Sequence, residues 1–338
     1  MSDAGFHLAN KRRARDSLQE LAAAPEERLG RVLAGIYHDD ARWFGPHPLN
    51  ELEGIAAIEN VWRGLCRAFP DMERRDTMIL GGSYKGADMV AMLGHYQATF
   101  VQDWLGVPAT HGVVYLRYGE VHNYVDGRIA HTHALIDLLD LMRQAGVWPL
   151  PPSLGAEGMW PGPATADGLR LSDADANAGA ATLDLVLGMH QALFDFDGVN
   201  LDSMDQAKYW SERFMWYGPS GIGTCRGMRG YQAHHQIPFL IAFPDRTGAG
   251  HYVCFGDGPY AVTGGWPSVV GTHKGHGWLG LAATGRPVRM RVMDFYRAEN
   301  GRLAENWVPL DVIDVLRQLG TDVFARLDHL RGSPQLSL

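Results

Sequence analysis

Hydrophobic and polar residues follow the same series of patterns twice along this 338-residue chain. Each series opens with segments in which apolar residues recur every three or four positions, the spacing of one helix face, so amphipathic helices are predicted there. A further helix follows in each series and ends at a Phe-Pro-Asp tripeptide, because proline cannot continue a helix and restricts the residue before it. The predicted helical segments are 13–37, with a second helix opened by Pro25, and 55–68 in the first series, then 174–193, 201–209 and 229–242 in the second.

The remainder of each series is strand-like, with segments bounded by turn residues. Asp126-Gly127 and Asn300-Gly301 are strong hairpin signals, because both central residues of a type I′ turn need positive φ. Helices followed by an antiparallel meander and a short closing helix predict an α+β fold, not an alternation of strands and helices. The predicted strands are 88–97, 113–125 and 128–136 in the first series, and 260–266, 287–298 and 302–309 in the second.

Individual residues repeat together with the pattern. Trp-Phe-Gly-Pro at 43–46 returns as Trp-Tyr-Gly-Pro at 216–219. The separation is 173 residues at this motif and 174 residues at the Arg-Gln-x-Gly motif that closes each copy, at 143–146 and 317–320. Solenoid units repeat every roughly 20–50 residues, so a period this long indicates duplication of a whole domain.

The duplication predicts domains over residues 1–146 and 173–338, the second with a C-terminal extension. Residues 147–172 between them hold five prolines and four glycines. Neither a helix nor a central strand tolerates this composition, so the segment is predicted to be the linker. Its large apolar side chains, Trp148, Met159 and Trp160, are expected to hold it against a surface.

Composition limits the possible partners. The net charge is −8, with no long basic run, so nucleic acid is not expected to bind. The three cysteines, Cys66, Cys225 and Cys254, do not match between the copies and form no Cys-x-x-Cys motif, so neither a disulfide framework nor a zinc knuckle is predicted. Without an apolar signal core or a stretch of about 18 apolar residues, the chain is expected to be a soluble cytoplasmic protein without membrane contact.

Two motifs of the second copy resemble those of the SnoaL-like polyketide cyclases. Residues 271–286, Gly-Thr-His-Lys-Gly-His-Gly-Trp-Leu-Gly-Leu-Ala-Ala-Thr-Gly-Arg, are similar to the family's GTHxGxxxGxPPTG run, with one extra residue before Trp278. Residues 295–307 resemble its R-x-x-D-G-K-I-x-E-x-W ending, and the first copy matches more loosely at 105–110 and 126–131. The resemblance implies two nuclear transport factor 2-like cones, each with helices packed in the concave face of a curved antiparallel sheet around a pocket.

The same resemblance implies an intramolecular aldol ring closure without metal or cofactor, with an aspartate as acid/base. That aspartate belongs seven residues beyond the glycine of the hairpin turn, where this chain has Ala134 and Val308. Neither side chain transfers a proton, so ring closure by the family's residue is not expected.

Strand alternation supplies a different carboxylate in each copy. Successive side chains face opposite sides of a sheet, which places Asp294 and Glu120 on otherwise apolar strand faces. The resemblance puts a functional histidine at this position, pointing into the cone, where desolvation would raise the pKa of a carboxyl group toward that of a general base. The alternative is a carboxylate paired with Arg291 or Arg117, or exposed at a strand edge.

The candidate catalytic groups of the second copy are Asp294 as base, with Asn306 and Tyr296 as hydrogen-bond donors to a developing oxyanion. Glu120 and His122 take the matching places in the first copy, as a second site or a degenerate scaffold. Aromatic and histidine side chains are candidates for holding a flat or apolar ligand, with a core role as the alternative. These candidates are Trp43, Phe44, His95, Trp216, Tyr217, His251 and Trp266.

Three histidine pairs, His131-x-His133, His234-His235 and His273-x-x-His276, lack a carboxylate or cysteine at a ligand spacing, so no metal is predicted. The glycine-rich stretches lack the Lys-Ser/Thr of a phosphate-binding loop, and no cofactor is predicted. Outward-facing residues on the last strands, such as Glu305 and Trp307, are expected to pack the two domains together as a pseudo-dimer. Whether whole chains associate further stays open.

The leading hypothesis is a cofactor-independent lyase or isomerase that acts beside the carbonyl of a small organic substrate. A non-catalytic ligand-binding or interaction module of the same fold is the alternative. A third hypothesis keeps polyketide cyclisation, with Asp294 replacing the missing aspartate from a neighbouring strand.

Overall fold

The computed structural model describes residues 3–172 and 176–332. In the first domain the helices pack apolar stripes against the sheet; Leu29, Val32, Leu33 and Ile36, for example, form the buried face of α2. Its helices are α1 (Asp3–Ala22), α2 (Leu29–Ile36), α3 (Ile55–Ala68) and α4 (Leu138–Gln144). Its strands are β1 (Tyr37–Phe44), β2 (Glu51–Glu53), β3 (Glu73–Tyr84), β4 (Ala87–Thr99), β5 (Val113–Val125) and β6 (Arg128–Ile136).

The second domain repeats this order with a longer C-terminal part. Its helices are α5 (Ala176–Leu193), α6 (Gly227–Tyr231), α7 (Ile237–Ala242), α8 (Val312–Gln318) and α9 (Val323–Leu330), and a π-helical turn, Gln232–Gln236, joins α6 to α7. Its strands are β7 (Trp210–Tyr217), β8 (Cys225–Arg226), β9 (Thr247–Gly248), β10 (Val253–Asp257), β11 (Tyr260–Thr272), β12 (Pro287–Glu299) and β13 (Arg302–Trp307).

Each domain is an α+β unit with helices on one face of a curved sheet, but neither sheet is purely antiparallel. The strand order is β2-β1-β6-β5-β4-β3 in the first sheet and β10-β11-β12-β13-β7-β8 in the second. The pairs β1–β6 and β7–β13 are parallel, because the last strand of each domain lies beside its first long strand and runs in the same direction. The predicted hairpin turns are confirmed, with φ of 45° at Asp126 and 51° at Asn300.

Several predicted boundaries were wrong. The first helix begins at Asp3, well before the predicted start at residue 13, whereas the second helix predicted after Pro25 is confirmed, as a 3₁₀ turn, Glu26–Arg28, that continues into α2. Residues 201–209 form two short 3₁₀ turns, Leu201–Met204 and Gln206–Lys208. Seven strands were not predicted: β1, β2, β3, β7, β8, β9 and β10. Among the described residues, no helix is long and apolar enough to cross a membrane.

The two domains pack through the outer faces of their sheets. A buried apolar cluster there combines residues from both copies, including Met78, Leu93 and Val121 with Phe255, Met293 and Trp307. The contact has approximate twofold symmetry. The backbone N–H of Ser220 donates to Asp137 of the first domain at 3.0 Å, and the backbone N–H of its counterpart His47 donates to Asp311 of the second domain at 2.9 Å.

One ion pair between the domains is withdrawn from solvent. Lys11 Nζ on α1 donates to Asp257 Oδ2 at 2.8 Å, and the side chains are 1% and 0% exposed. The backbone N–H of Gly81 donates to the same oxygen at 2.9 Å. The pair therefore fixes the first helix of one domain to the β10–β11 turn of the other.

Residues 147–172, the predicted linker, run along this contact. The indole of Trp307 donates to the carbonyl of Pro161 at 2.9 Å, and the Tyr115 hydroxyl donates to the carbonyl of Gly158 at 2.7 Å. Trp160 lies beneath the guanidinium of Arg117, whereas Met159 is exposed. The segment is thus held by hydrogen bonds to both domains.

Candidate functional site

A cavity of about 230 Å³ lies in the second domain between the concave face of its sheet, α5 and the helical segment 227–242. Most of its wall is apolar, and it contains no Lys or Arg among the described residues. Its aromatic members are Phe194, Trp210, Trp216, Tyr231, Phe239 and Tyr296. Its other polar or titratable members are Asp294, Asn306, Ser268, His190, His235 and His251.

Asp294, on β12, is the one carboxylate among the described residues of this wall. It keeps some accessible surface, which faces the cavity, and the Nδ2 of Asn306 on β13 lies 3.4 Å from its Oδ1. Burial raises the pKa of Asp294 to about 7, against the opposing effect of hydrogen bonds from Asn306 and Tyr296. With no cation beside it, the carboxyl group exchanges its proton near neutral pH.

Tyr296 connects Asp294 to a helix on the other side of the cavity. Its hydroxyl lies 2.8 Å from Nε2 of His190 on α5. Burial lowers the pKa of His190 to about 4, with a smaller contribution from His251, so the imidazole is neutral at neutral pH. Asp294, Tyr296 and His190 therefore form a continuous polar path through an apolar wall.

The helical segment opposite the sheet contributes a ladder of rings. Tyr231, His235 and Phe239 are four residues apart, and His235 also stacks on Trp216 with 4.1 Å between ring centroids. Burial lowers the pKa of His235 to about 3, and its Nδ1 is buried without a hydrogen-bond partner. His235 lies in the π-helical turn, a distortion frequent at functional sites.

In the first domain, side chains fill the space that corresponds to the cavity. Arg74 Nη2 donates to Glu120 Oε2 at 2.8 Å, and the Tyr96 hydroxyl lies 3.2 Å from the other oxygen. Although burial alone would raise it, the Arg74 charge and His122 lower the pKa of Glu120 to about 2. His122 itself is bonded through Nδ1 to the Thr132 hydroxyl at 2.9 Å. Glu120 is thus an ionised member of a buried network.

Glu120 is paired with Arg74 and not with Arg117, the arginine on its own strand that the sequence offered as an alternative partner. Arg117 and Arg291 face the interdomain side, toward Asp137 and Asp311. Arg74 reaches Glu120 from β3, a strand that the sequence did not predict.

The structure divides the predicted ligand-binding residues between the two faces of the sheets. Trp216 and His251 line the cavity. Trp43, the counterpart of Trp216, is buried in the first core, in a domain whose interior is filled. The other four lie outside the cavity.

These four side chains point to the outer faces of the sheets. Phe44 and Trp266 lie edge to face at 6.4 Å in the interdomain contact, and Tyr217 stacks on Trp307 at 5.1 Å. His95 packs beside Tyr115 at 5.9 Å. Neighbouring residues of a strand face opposite sides, so Tyr217 cannot join Trp216 in the pocket, nor Phe44 join Trp43.

Three cavity residues, His190, Tyr231 and His235, were missed by the sequence reasoning. Their helical spacing held a signal: His190 lies between Met189 and Leu193 on the buried face of α5, and Tyr231 and His235 share a face. Across residues 3–172 and 176–332, no group of three or more His, Cys, Asp or Glu side chains is arranged to hold a metal ion.

Comparison with known proteins agrees with this architecture. The sequence model of the SnoaL-like polyketide cyclase family matches residues 18–145 and again residues 186–319. None of the curated proteins compared with the chain matches it.

Solved structures of single-domain length are similar to part of the chain. A candidate SnoaL-like polyketide cyclase from Jannaschia sp. CCS1 is 18% identical, covering 41% of this chain and 94% of its own, with a TM-score of 0.34. AclR, a candidate hydroxylase from Streptomyces galilaeus, is 23% identical over 40% of this chain and 96% of its own, with a TM-score of 0.34. IdmH, a candidate polyketide cyclase from Streptomyces antibioticus, is 21% identical over 39% and 98%, with a TM-score of 0.33.

The family's pattern thus covers most of the sequence in two consecutive stretches, each corresponding to one α+β domain. The chain belongs to the SnoaL-like polyketide cyclase family, as a tandem duplication of the family's domain.

Proposed function

We propose that the second domain catalyses proton transfer beside the carbonyl group of a small, largely apolar organic compound, with Asp294 as the general base. The supporting observation is one carboxyl group, free of any cation, on the wall of an apolar cavity, with its pKa raised to about 7. A base is most effective when its pKa lies near the working pH, because it is then both available and strong enough.

The proposed step starts with ionised Asp294 taking a proton from the carbon next to the carbonyl. The electron pair of the broken C–H bond moves into the carbonyl, and an enolate forms. Asn306 Nδ2 and the Tyr296 hydroxyl are the donors placed beside Asp294, so the developing oxyanion would accept hydrogen bonds from this side of the cavity. Neutral His190, bonded to Tyr296, would hold that hydroxyl in position.

The enolate then determines the type of reaction. Return of the proton to a different carbon is an isomerisation, and attack on a second carbonyl within the molecule is an aldol ring closure. Both reactions share the first step and neither needs a redox partner. Val308, which stands where the resemblance places the family's aspartate, lines the same cavity as Asp294. Asp294 would therefore supply the acid/base group from the neighbouring strand.

The first domain is proposed to be a scaffold and not a second catalytic site. Glu120 is held by Arg74 at 2.8 Å and its pKa is lowered to about 2, which makes it a weak base. One active site per chain is therefore expected.

Deuterium exchange tests the proposal without knowledge of the natural substrate. The bicyclic ketones 2-tetralone and 1-indanone, incubated in D₂O with the protein, would exchange their α-hydrogens, as followed by mass spectrometry. Asp294→Asn should reduce the protein-dependent rate by about 100-fold or more, the usual contribution of a general base. Glu120→Gln, the matched change in the other domain, should leave it unchanged.

The competing function is ligand binding without chemistry, and it is favoured by Val308 at the position of the family's aspartate. Ketones that bind in the cavity and raise the melting temperature, yet exchange no faster than with Asp294→Asn, would establish this alternative.

A further inference from the structure

A second concave surface adjoins the mouth of the cavity. This cleft has a volume of about 450 Å³, and Phe194 lines both it and the cavity. Its apolar walls are Phe196, Leu240, Ile241 and Pro244. The cleft therefore extends the apolar surface of the cavity outward, toward solvent.

Within the described part of the chain, Arg246 is the one cation that lines this cleft. It is half-buried; its Nη2 donates to the carbonyl of Leu193 at 3.1 Å, and its guanidinium lies over the ring of Phe196 at 5.8 Å. In the part of the chain that the structure describes, no carboxylate forms an ion pair with it. Burial lowers its pKa, which agrees with an uncompensated charge.

The nearby carboxylates are already engaged. Asp197, which also lines the cleft, accepts the backbone N–H groups of Val199 and Asn200 at 2.8 and 2.7 Å. Asp245, the residue before Arg246, pairs with Lys274 at 2.8 Å. Neither carboxylate forms an ion pair with the guanidinium of Arg246.

Other arginines withdrawn from solvent in this protein do have acidic partners. Arg74 pairs with Asp76 and Glu120, and Arg117 pairs with Asp137. Removing a cation from water without an anion is unfavourable, and a guanidinium is shaped to bind a carboxylate through two parallel hydrogen bonds. Among the described residues, Arg246 therefore has a guanidinium free to bind a carboxylate from outside the chain.

Arg246 is also close to the proposed reaction site. Burial raises the pKa of Tyr231, a cavity residue, and the charge of Arg246 is near enough to oppose that rise. The carbonyl that Arg246 binds belongs to Leu193 in the cavity wall. Gly248, two residues further along, lines the cavity as well. The guanidinium therefore borders the cavity wall at Leu193, next to Phe194, which the cavity and the cleft share.

We propose that Arg246 determines specificity by binding a carboxylate on the substrate, whose apolar carbonyl-bearing part occupies the cavity. The substrate class is thus an apolar keto acid. The carbonyl group at its reacting end is assigned from the function proposed for Asp294.

Two probes of nearly equal shape test the charge requirement: 2-naphthylacetate and 2-naphthylacetamide, titrated calorimetrically at pH 8. The wild-type protein should bind the carboxylate at least about tenfold more tightly, as a charge-assisted hydrogen-bonded pair provides. Arg246→Gln should abolish the difference and leave amide binding unchanged. Arg246→Lys should retain part of it, and Arg229→Gln, which removes an exposed positive charge from the same domain, should retain all of it.

Equal affinity for the two probes, undetectable binding of the carboxylate, or a preference that survives in Arg246→Gln would overturn the proposal. Circular dichroism of each variant confirms that the fold is intact, and Arg246→Lys provides the test if Arg246→Gln does not fold. Because binding is measured without turnover, this result is independent of the deuterium exchange that tests Asp294.

Discussion

Arg74 and Gly248 occupy the same position in the two sheets. Arg74 pairs with Tyr96 across β3 and β4, and Gly248 pairs with Val269 across β9 and β11. In the first domain the arginine and the tyrosine both hydrogen-bond Glu120. In the second, glycine and valine leave that space open, and both line the cavity beside Asp294. The cavity is therefore present in one copy because these two large polar side chains are present only in the other.

This relationship predicts that Gly248→Arg closes the second site. A Cβ at Gly248 would meet Phe194 Cζ at 3.3 Å, a contact that a small movement of the exposed ring relieves. The new guanidinium should pair with Asp294 as Arg74 does with Glu120, which favours the ionised carboxylate and lowers its pKa. Ketone binding and deuterium exchange should both be lost, as calorimetry and mass spectrometry would show.

The control is Gly35→Arg, a helical glycine of the first domain with no atoms near its Cβ position. It should bind and exchange like the wild type. If Gly248→Arg still bound ketones with wild-type affinity, the cavity would not be the binding site.

Asp294→Asn and Glu120→Gln should have opposite effects on stability and activity. At pH 8, Asp294→Asn removes a desolvated carboxylate without a counter-ion, so the free energy of unfolding should stay the same or rise while exchange activity is lost. Glu120→Gln leaves Arg74 short of a buried partner and should lower the free energy of unfolding by about 3 kcal/mol, with activity retained below the melting temperature. Urea denaturation and the exchange assay measure the two properties. Equal destabilisation by both variants would show that the carboxylates have the same structural role.

The two carboxyl groups also predict opposite pH dependences. The pKa of Asp294 is raised from 3.8 to about 7, so between these pH values the folded state holds a proton that the unfolded chain releases. The stabilisation that this proton gives the folded state is lost as pH rises from about 4 to 7. The loss amounts to about 4 kcal/mol. The pKa of Glu120 is lowered from 4.5 to about 2, so its contribution is present above pH 4.5 and is lost as pH falls toward 2.

Urea denaturation from pH 2 to 8 separates these contributions. Relative to the wild type, Asp294→Asn should become more stable as pH rises from about 4 to 7, and the difference should level off above pH 7. A stability difference that does not change with pH would mean that Asp294 titrates alike in the folded and unfolded chain.

The buried pair Lys11–Asp257 should couple the two domains. Lys11→Met leaves Asp257 in the interior with Arg170 Nε 3.9 Å away and should lower the free energy of unfolding by about 3–5 kcal/mol. The double variant with Asp257→Leu should recover much of this loss, because neither charge remains buried. Differential scanning calorimetry should show one transition for the wild type. Two well-separated transitions would mean that the domains unfold independently.

The parts of the fold that the sequence predicted are those with local signals. β5 and β6 were predicted with the observed ends because Asp126-Gly127 fixes the turn between them. β3 was missed because it opens with four charged residues, 73–76, a composition typical of an exposed loop. Arg74 is buried there with two acidic partners, Asp76 on its own strand and Glu120, a residue 46 positions away.

The candidate site was predictable to a similar extent. Alternation along β12 placed Asp294 inside the cone, where the structure has it on the cavity wall. Alternation could not show that Glu120 has an arginine partner and Asp294 has none, because that difference arises on other strands. His190 was missed because its role depends on Tyr296, which reaches it across the cavity from β12.

Titration of the Asp294 carboxyl group tests the central claim most directly. Carbon-13 NMR of protein labelled at the aspartate side-chain carboxyl, recorded from pH 4 to 9, should contain a resonance with a pKa near 7. This resonance should be missing from Asp294→Asn, and its pKa should be lower in Gly248→Arg. If the resonance lost in Asp294→Asn titrates near 4, the ordinary value for an aspartate, Asp294 is not the neutral-pH base that this account requires.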